Sequence, residues 1–135
     1  MNKIYILVGS PGSGKTWVSS QLYGKFSVAE QDEFIGKDYV HHLLALSHRE
    51  RQPILANTPF GLSKLMESLQ NEGAEVEAVF IIEDPDTLAA RYEAREGKPI
   101  PKGHLSRQYT YQERAYELNA FSGTSEEVLK YLQSK

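Results

Sequence analysis

No cysteine occurs among the 135 residues, so neither a disulfide framework nor a cysteine-ligated zinc or iron–sulfur centre is open to this chain. Long apolar runs are missing too. The longest, residues 4–8 and 78–82, hold five residues each, against the ~20 that a membrane-spanning helix needs. No membrane partner is therefore expected. The chain passes from one early lysine straight into an apolar run and glycines, without a signal-peptide core, which makes a cytoplasmic location the expectation. An excess of positive charge is also lacking: 15 Lys and Arg against 18 Asp and Glu leave a net charge of −3, unlike proteins that coat long nucleic acid through its phosphates. Repeats and low-complexity tracts are absent. What remains is 40% hydrophobic and 24% charged residues, the balance of a chain that folds around a core, and the length suits one domain, residues 1–135.

Strand and helix signals alternate along the whole chain. Residues 4–8 form a short β-branched-rich run ending at Gly9, the pattern of a strand buried on both faces. A helix is expected over residues 15–25 with Gly24 as its stop, then a weak strand over 26–30. Asp38 is placed to cap a helix carrying Val40, Leu43, Leu44 and Ser47 on one face. A third strand opens after Pro53 and ends at Asn57, and Leu62, Leu65, Met66 and Leu69 repeat at helical spacing up to Gly73. Residues 76–82 read as the strongest strand of the second half. Asp84, Pro85 and Asp86 then begin a helix that runs to Gly97. Gly97, Pro99, Pro101 and Gly103 predict a loop, followed by a polar helix from Leu105 to about Ala115, a weak strand near Leu118, and a last helix capped by Thr124 or Ser125. Five strands separated by helices predict an open five-stranded parallel sheet covered on both faces, an α/β fold whose ligands bind at the carboxyl ends of the strands.

Residues Gly9, Ser10, Pro11, Gly12, Ser13, Gly14, Lys15 and Thr16 match the pattern G-x-x-x-x-G-K-[ST]. A strand before it and a helix after it are the setting this phosphate-binding loop requires. Glycines let the backbone turn its N–H groups inward as an anion nest, and the next helix offers its positive dipole end to the same anion. Lys15 is expected on the β and γ phosphates of a nucleoside triphosphate, and the Thr16 hydroxyl on Mg²⁺. The base-reading tetrapeptide Asn-Lys-x-Asp of GTPases does not occur, and mechanical ATPases usually need more chain.

Phosphoryl transfer needs an acceptor-side group and cations for the travelling charge. Asp32, beyond the second strand, is a candidate general base; holding the metal through water and capping a turn are its alternatives. Arg91 and Arg95 lie one helical turn apart, just before the glycine- and proline-rich loop where a short lid would begin, and are candidates for closing over the phosphates. They belong to residues 91–107, where Arg91, Arg95, Lys98, Lys102 and Arg107 against Glu93 and Glu96 make a local excess of three positive charges. His41, His42 and His48 lack a metal-ligand spacing, and the tyrosines read as packing residues.

The order of phosphate loop, Asp32, the Arg91-x-x-x-Arg95-x-Gly97 segment and the final SGTSEEV resembles the small P-loop kinases. Ser10 to Trp17, with Asp32 and Arg95, is similar to the kinase domain of phage-type polynucleotide 5′-hydroxyl kinases. That resemblance implies a P-loop kinase fold, ATP and Mg²⁺, Asp32 as general base, and a nucleic-acid end or nucleotide as acceptor. It also implies that residues 121–124 contact the adenine. Two positions depart from the family pattern: Ile35 stands where an arginine grips the acceptor phosphate, and Asn57 where a carboxylate supports that arginine. Lys37, Arg49 or Arg51 are the candidate substitutes, and an unusual acceptor is the simpler inference. Glu83 and Asp84, after an apolar strand, read as helix-capping residues rather than as a metal-shell acid. The alternatives to a polynucleotide kinase are a nucleoside or deoxynucleotide monophosphate kinase and a partner-dependent nucleotide-binding switch or ATPase.

Overall fold

A computed structural model describes residues 1–10, 12–30, 37–57 and 61–135. Five strands form one parallel sheet: β1 (Ile4–Gly9), β2 (Ser27–Glu30), β3 (Ile54–Asn57), β4 (Val76–Ile81) and β5 (Phe121–Gly123), in the order β2-β3-β1-β4-β5. Six helices connect and flank them: α1 (Lys15–Ser20), α2 (Lys37–Arg49), α3 (Leu62–Asn71), α4 (Pro85–Glu96), α5 (Lys102–Glu117) and α6 (Ser125–Gln133).

The pleat of the inner strands divides the core into two layers. Ile4, Ile6 and Val8 of β1 with Ala78 and Phe80 of β4 face Tyr39, Leu43 and Leu46 of α2, Leu65 and Leu69 of α3, and Ala115 of α5. Tyr5, Leu7, Leu55, Val79 and Ile81 point the other way, onto Val18 of α1, Leu22, Phe26, and Val128 and Leu132 of α6. A strand read as continuously apolar is thus buried on both sides, as a parallel sheet with helices on each face demands. Phe80, Ile6 and Leu7 are fully buried, and each such side chain contributes roughly 1.5–3 kcal/mol. From β1 the chain crosses β3 to reach β2, and from β3 it crosses β1 to reach β4. The order therefore reverses around β1, the place where open α/β sheets leave a ligand crevice.

Four boundaries differ from those expected. The first helix ends at Ser20, not at Gly24: Gln21 and Leu22 donate to Val18 and Ser19 at 3.1 and 3.0 Å, so the chain tightens into successive turns up to Phe26. Asp38 sits inside the first turn of α2 instead of capping it. The helix expected from Leu105 begins at Lys102, because Pro101, extended at the N-cap, accepts from His104 at 3.0 Å and closes a turn that includes Gly103. The last strand is Phe121–Gly123, beginning three residues after Leu118. That residue caps α5, and Asn119, at φ 51, turns the chain so that Asn119 donates to Tyr116 and Ala120 to Ala115, a Schellman ending. Leu118 owes its apolar character to packing on the core as the helix terminates.

The remaining caps follow the sequence signals. Asp84 accepts from Thr87 N–H at 3.2 Å with Pro85 at N1. Thr124 and Glu127 make a reciprocal capping box on α6. The bond from Thr124 N–H, with the Thr124 hydroxyl, holds the Glu127 carboxyl below its ordinary value. Among the described residues no helix is long and apolar enough to cross a membrane.

Candidate active site

The segment between β1 and α1 closes as the glycine pattern requires. Gly12 and Gly14 adopt φ 83 and 105, left-handed values that L side chains rarely reach. Ser13 N–H returns to Ser10 C=O at 3.0 Å, and Val18 N–H to Gly14 C=O at 2.9 Å. Gly9 answers a different need. A β-carbon there would lie 2.4 Å from Ser13 Oγ and 3.3 Å from both Ile81 Cβ and Lys15 Cγ. Ser10 and Ser13 are buried, and their hydroxyls have no hydrogen-bond partner among the described residues. Polar atoms are rarely left so, which suits a loop shaped around a polar ligand. Pro11 lies outside the described residues.

A cleft of about 310 Å³ opens over this loop, lined by Ser10, Gly12, Lys15, Thr16, Arg91 and Arg95 among others. Three cations thus share one wall with the Thr16 hydroxyl. A second cleft of about 330 Å³ adjoins it and is lined by Gly14, Trp17, Arg91, Ser125 and Glu126. Helix α4 brings its two arginines to different tasks. Arg91 Nη1 donates to Ser13 C=O and meets Glu83 Oε1, each at 3.2 Å. Arg95 pairs with Glu96 at 3.0 Å and lies 5.7 Å over the Tyr92 ring, about half exposed. Tyr92 in turn meets His104 edge to face at 5.3 Å, joining the end of α4 to the start of α5 across residues 97–101. Lys15, Thr16, Arg91 and Arg95 are therefore brought together, whereas Asp32 and Ile35 lie outside the described residues.

Asn57 ends β3 beside Glu30 of β2. Its amide donates to Ser19 Oγ at 3.3 Å and to Glu30 Oε1 at 3.5 Å, so it ties α1 to the sheet edge as a buried donor. Glu83 does not cap α4 as expected; Asp84 does. The Glu83 side chain is only 6% exposed, and Oε1 accepts from Ser125 N–H and Ser125 Oγ–H at 2.9 Å each as well as meeting Arg91. Its place after an apolar strand was the available signal. Of residues 121–124, none lines either cleft: Phe121 stacks on Tyr131 at 4.1 Å, and the Thr124 hydroxyl serves the cap. Ser125 and Glu126, just beyond them, line the second cleft instead.

A parallel five-stranded sheet in this order, with a glycine-built nest after β1 and helices on both faces, defines the α/β P-loop kinase fold. No family model and no curated protein matches the chain. Solved structures do. The chain is similar to the tunicamycin resistance protein of Deinococcus radiodurans, at 17% identity and a TM-score of 0.77, covering 99% of this chain and 95% of that one. It is similar to a gluconokinase from Sinorhizobium meliloti 1021, at 19% identity and 0.59, covering 96% and 87%. A shikimate kinase from Acinetobacter baumannii, solved in complex with shikimate, matches at 16% identity and 0.57, covering 99% and 94%. At such identities the likeness is one of fold.

Proposed function

We propose that this chain is an ATP-dependent phosphotransferase that moves the γ-phosphoryl group of ATP to an acceptor hydroxyl. The observation that carries the reading is the convergence of Lys15, Arg91 and Arg95 on a left-handed glycine nest whose two serine hydroxyls have no hydrogen-bond partner among the described residues. The residues present fit a triphosphate. Gly9 to Thr16 would hold it, with the loop N–H groups and Lys15 on the phosphates. Thr16 would hold Mg²⁺, which when bound supplies positive charge against the phosphates. Arg95, on the exposed rim, closes over the travelling group, and Arg91 steadies the loop through Ser13 C=O. Asp32 takes the proton of the acceptor hydroxyl as its oxygen bonds to phosphorus and the bridge to the β phosphate breaks, releasing ADP.

The acceptor we favour is a small hydroxyl compound. Supporting this, Asn57 contributes no charge at the end of β3 and is committed to Ser19 and Glu30. Two proteins of similar fold are named gluconokinase and shikimate kinase. One observation favours a second reading, a polynucleotide 5′-hydroxyl: the excess of positive charge over residues 91–107, which begins at the cleft wall. Labelled ATP with magnesium, offered with sugar acids, polyols, nucleosides, nucleoside monophosphates and 5′-hydroxyl oligonucleotides, separates these. Asp32→Ala should remove transfer while sparing ATP affinity. Label on no acceptor despite ATP binding would favour a partner-dependent switch and overturn the kinase reading.

A further inference from the structure

Glu83 poses a question that capping of α4 does not answer, since Asp84 fills that place. A carboxylate 6% exposed two residues past the end of β4 is costly: its loss of hydration runs to several kcal/mol, and an apolar residue there is often neutral or better for stability. Its surroundings are built to meet that cost. The Glu83 backbone is held by one side chain, its N–H donating to Gln108 Oε1 at 3.4 Å and its C=O accepting from Gln108 Nε2. Gln108 is itself buried. From this fixed point the carboxylate Oε1 gathers Arg91 of α4 and Ser125 of α6. Both partners line the second cleft with Gly14, Trp17 and Glu126.

The three partners of Glu83 come from three helices, and two of them, Arg91 and Ser125, border the phosphate loop. Gly14 approaches Ser125 so closely that an added β-carbon would sit 2.9 Å from Ser125 Cβ. Arg91, itself 43% exposed, reaches from Glu83 to Ser13 C=O through Nη1. Its described bonds use that one nitrogen, and a guanidinium carries five N–H donors in a fixed fork. The rest of the fork is therefore held at the wall shared by the two clefts. Without the carboxylate the same long side chain samples many rotamers and must be ordered when ligand arrives.

We propose that Glu83 is a positioning residue for the nucleotide: it preorganises Arg91 at the junction of the two clefts and locks the start of α6 against the loop. This rests on the phosphotransferase reading above and acts through Arg91, not by touching ligand.

The test is a double-mutant cycle read by fluorescence. Trp17, the single tryptophan, lines both clefts with Arg91, so its emission reports the site without turnover. Wild type, Glu83→Gln, Arg91→Ala and the double variant are titrated with a magnesium-loaded, non-hydrolysable ATP analogue. Glutamine keeps the size and an oxygen for Ser125 but drops the charge. Losing one charged hydrogen bond predicts an affinity fall between about ten- and a hundredfold for Glu83→Gln. The double variant should bind no more weakly than Arg91→Ala. Independent effects that multiply, or an unchanged Glu83→Gln, overturn the proposal. Should Glu83→Gln melt below the assay temperature, Arg91→Lys replaces it: lysine has three N–H donors on one nitrogen and, bonded to Glu83 and Ser13, presents one at most and no fork, so wild-type affinity there overturns the proposal. A wild-type protein that gives no titration overturns the nucleotide reading and this inference together; a normal wild-type titration with an unaffected Glu83→Gln overturns this inference alone.

Discussion

Replacing Gly9 by alanine tests the phosphate loop at a place where the obstacle is space, not backbone angle. Gly9 has no left-handed φ, yet its new methyl would meet Ser13 Oγ at 2.4 Å, with Ile81 Cβ and Lys15 Cγ each at 3.3 Å. Ser13 is fully buried, so its hydroxyl cannot swing into solvent, and the strand below is fixed by its register with Ile81. The loop must give. Overpacking of this kind costs about 1–3 kcal/mol, which for a domain of this size lowers the melting temperature by about 4–12 °C. Lys15 and the Ser13 amide move with the loop, and a shift of about 1 Å in a positioned group can cost around a hundredfold. Titration with a magnesium-loaded ATP analogue should thus weaken by about that factor, and denaturant melts should report the stability loss. Gly73→Ala is the control. Gly73 is left-handed with open space around it and lies after α3, so its alanine should cost about 1–2 kcal/mol and leave the titration unchanged. A Gly9→Ala protein that melts and binds like wild type would refute the loop geometry.

Three further outcomes follow from the bonds described. Thr124→Ala removes the capping box of α6 and should cost about 1 kcal/mol in denaturant unfolding; because Ser125 keeps its own bonds to Glu83, the affinity for nucleotide should stay within twofold or so. Asn57→Asp exchanges a buried donor for a second carboxylate beside Glu30 and should destabilise by about 1–3 kcal/mol near neutral pH, with part of the loss recovered on acidification; a neutral effect would contradict the donor role. Tyr131→Phe probes the opposite end of the sheet. Burial, with the bond to Glu77, raises the Tyr131 phenol to about 12. This contribution is complete below 10 and is lost as pH climbs to about 12. Burial pushes Glu77 up, but bonds from Lys3 and Tyr131 outweigh it and hold the carboxyl below its ordinary value. That stabilisation is present above pH 4.5 and lost as pH falls below it. The variant should flatten both limbs of stability against pH, and unchanged limbs would rule the network out.

Legibility along the chain followed the range of the interaction responsible. The phosphate loop, the caps at Asp84 and Thr124 and the apolar strands could be read because their causes lie within a few residues: positive φ at Gly12 and Gly14, a carboxylate three residues from a free N–H, a run buried on both faces. The strand expected near Leu118 was displaced to Phe121–Gly123, because Leu118 ends α5 and an asparagine, not a glycine, turns the chain at 119. The start of α5 was displaced because a proline and a glycine, read as loop residues, make up its first turn. Glu83 was assigned to its neighbour's work, since sequence proximity to Pro85 could not reveal a partner 42 residues away at Ser125.

The sequence by itself determined the alternation of strand and helix, the anion nest and the cations that could serve it, because propensity, capping and glycine conformation are local properties. Tertiary structure alone decided which of those groups meet. The reversal of strand order around β1 brings α4 and α6 to one loop, and only then do Arg91, Glu83 and Ser125 become a single network. Asn57 likewise turned from a missing carboxylate into a buried donor once β2 lay beside β3. Contacts of this kind depend on how elements stack, and no spacing within one element encodes them.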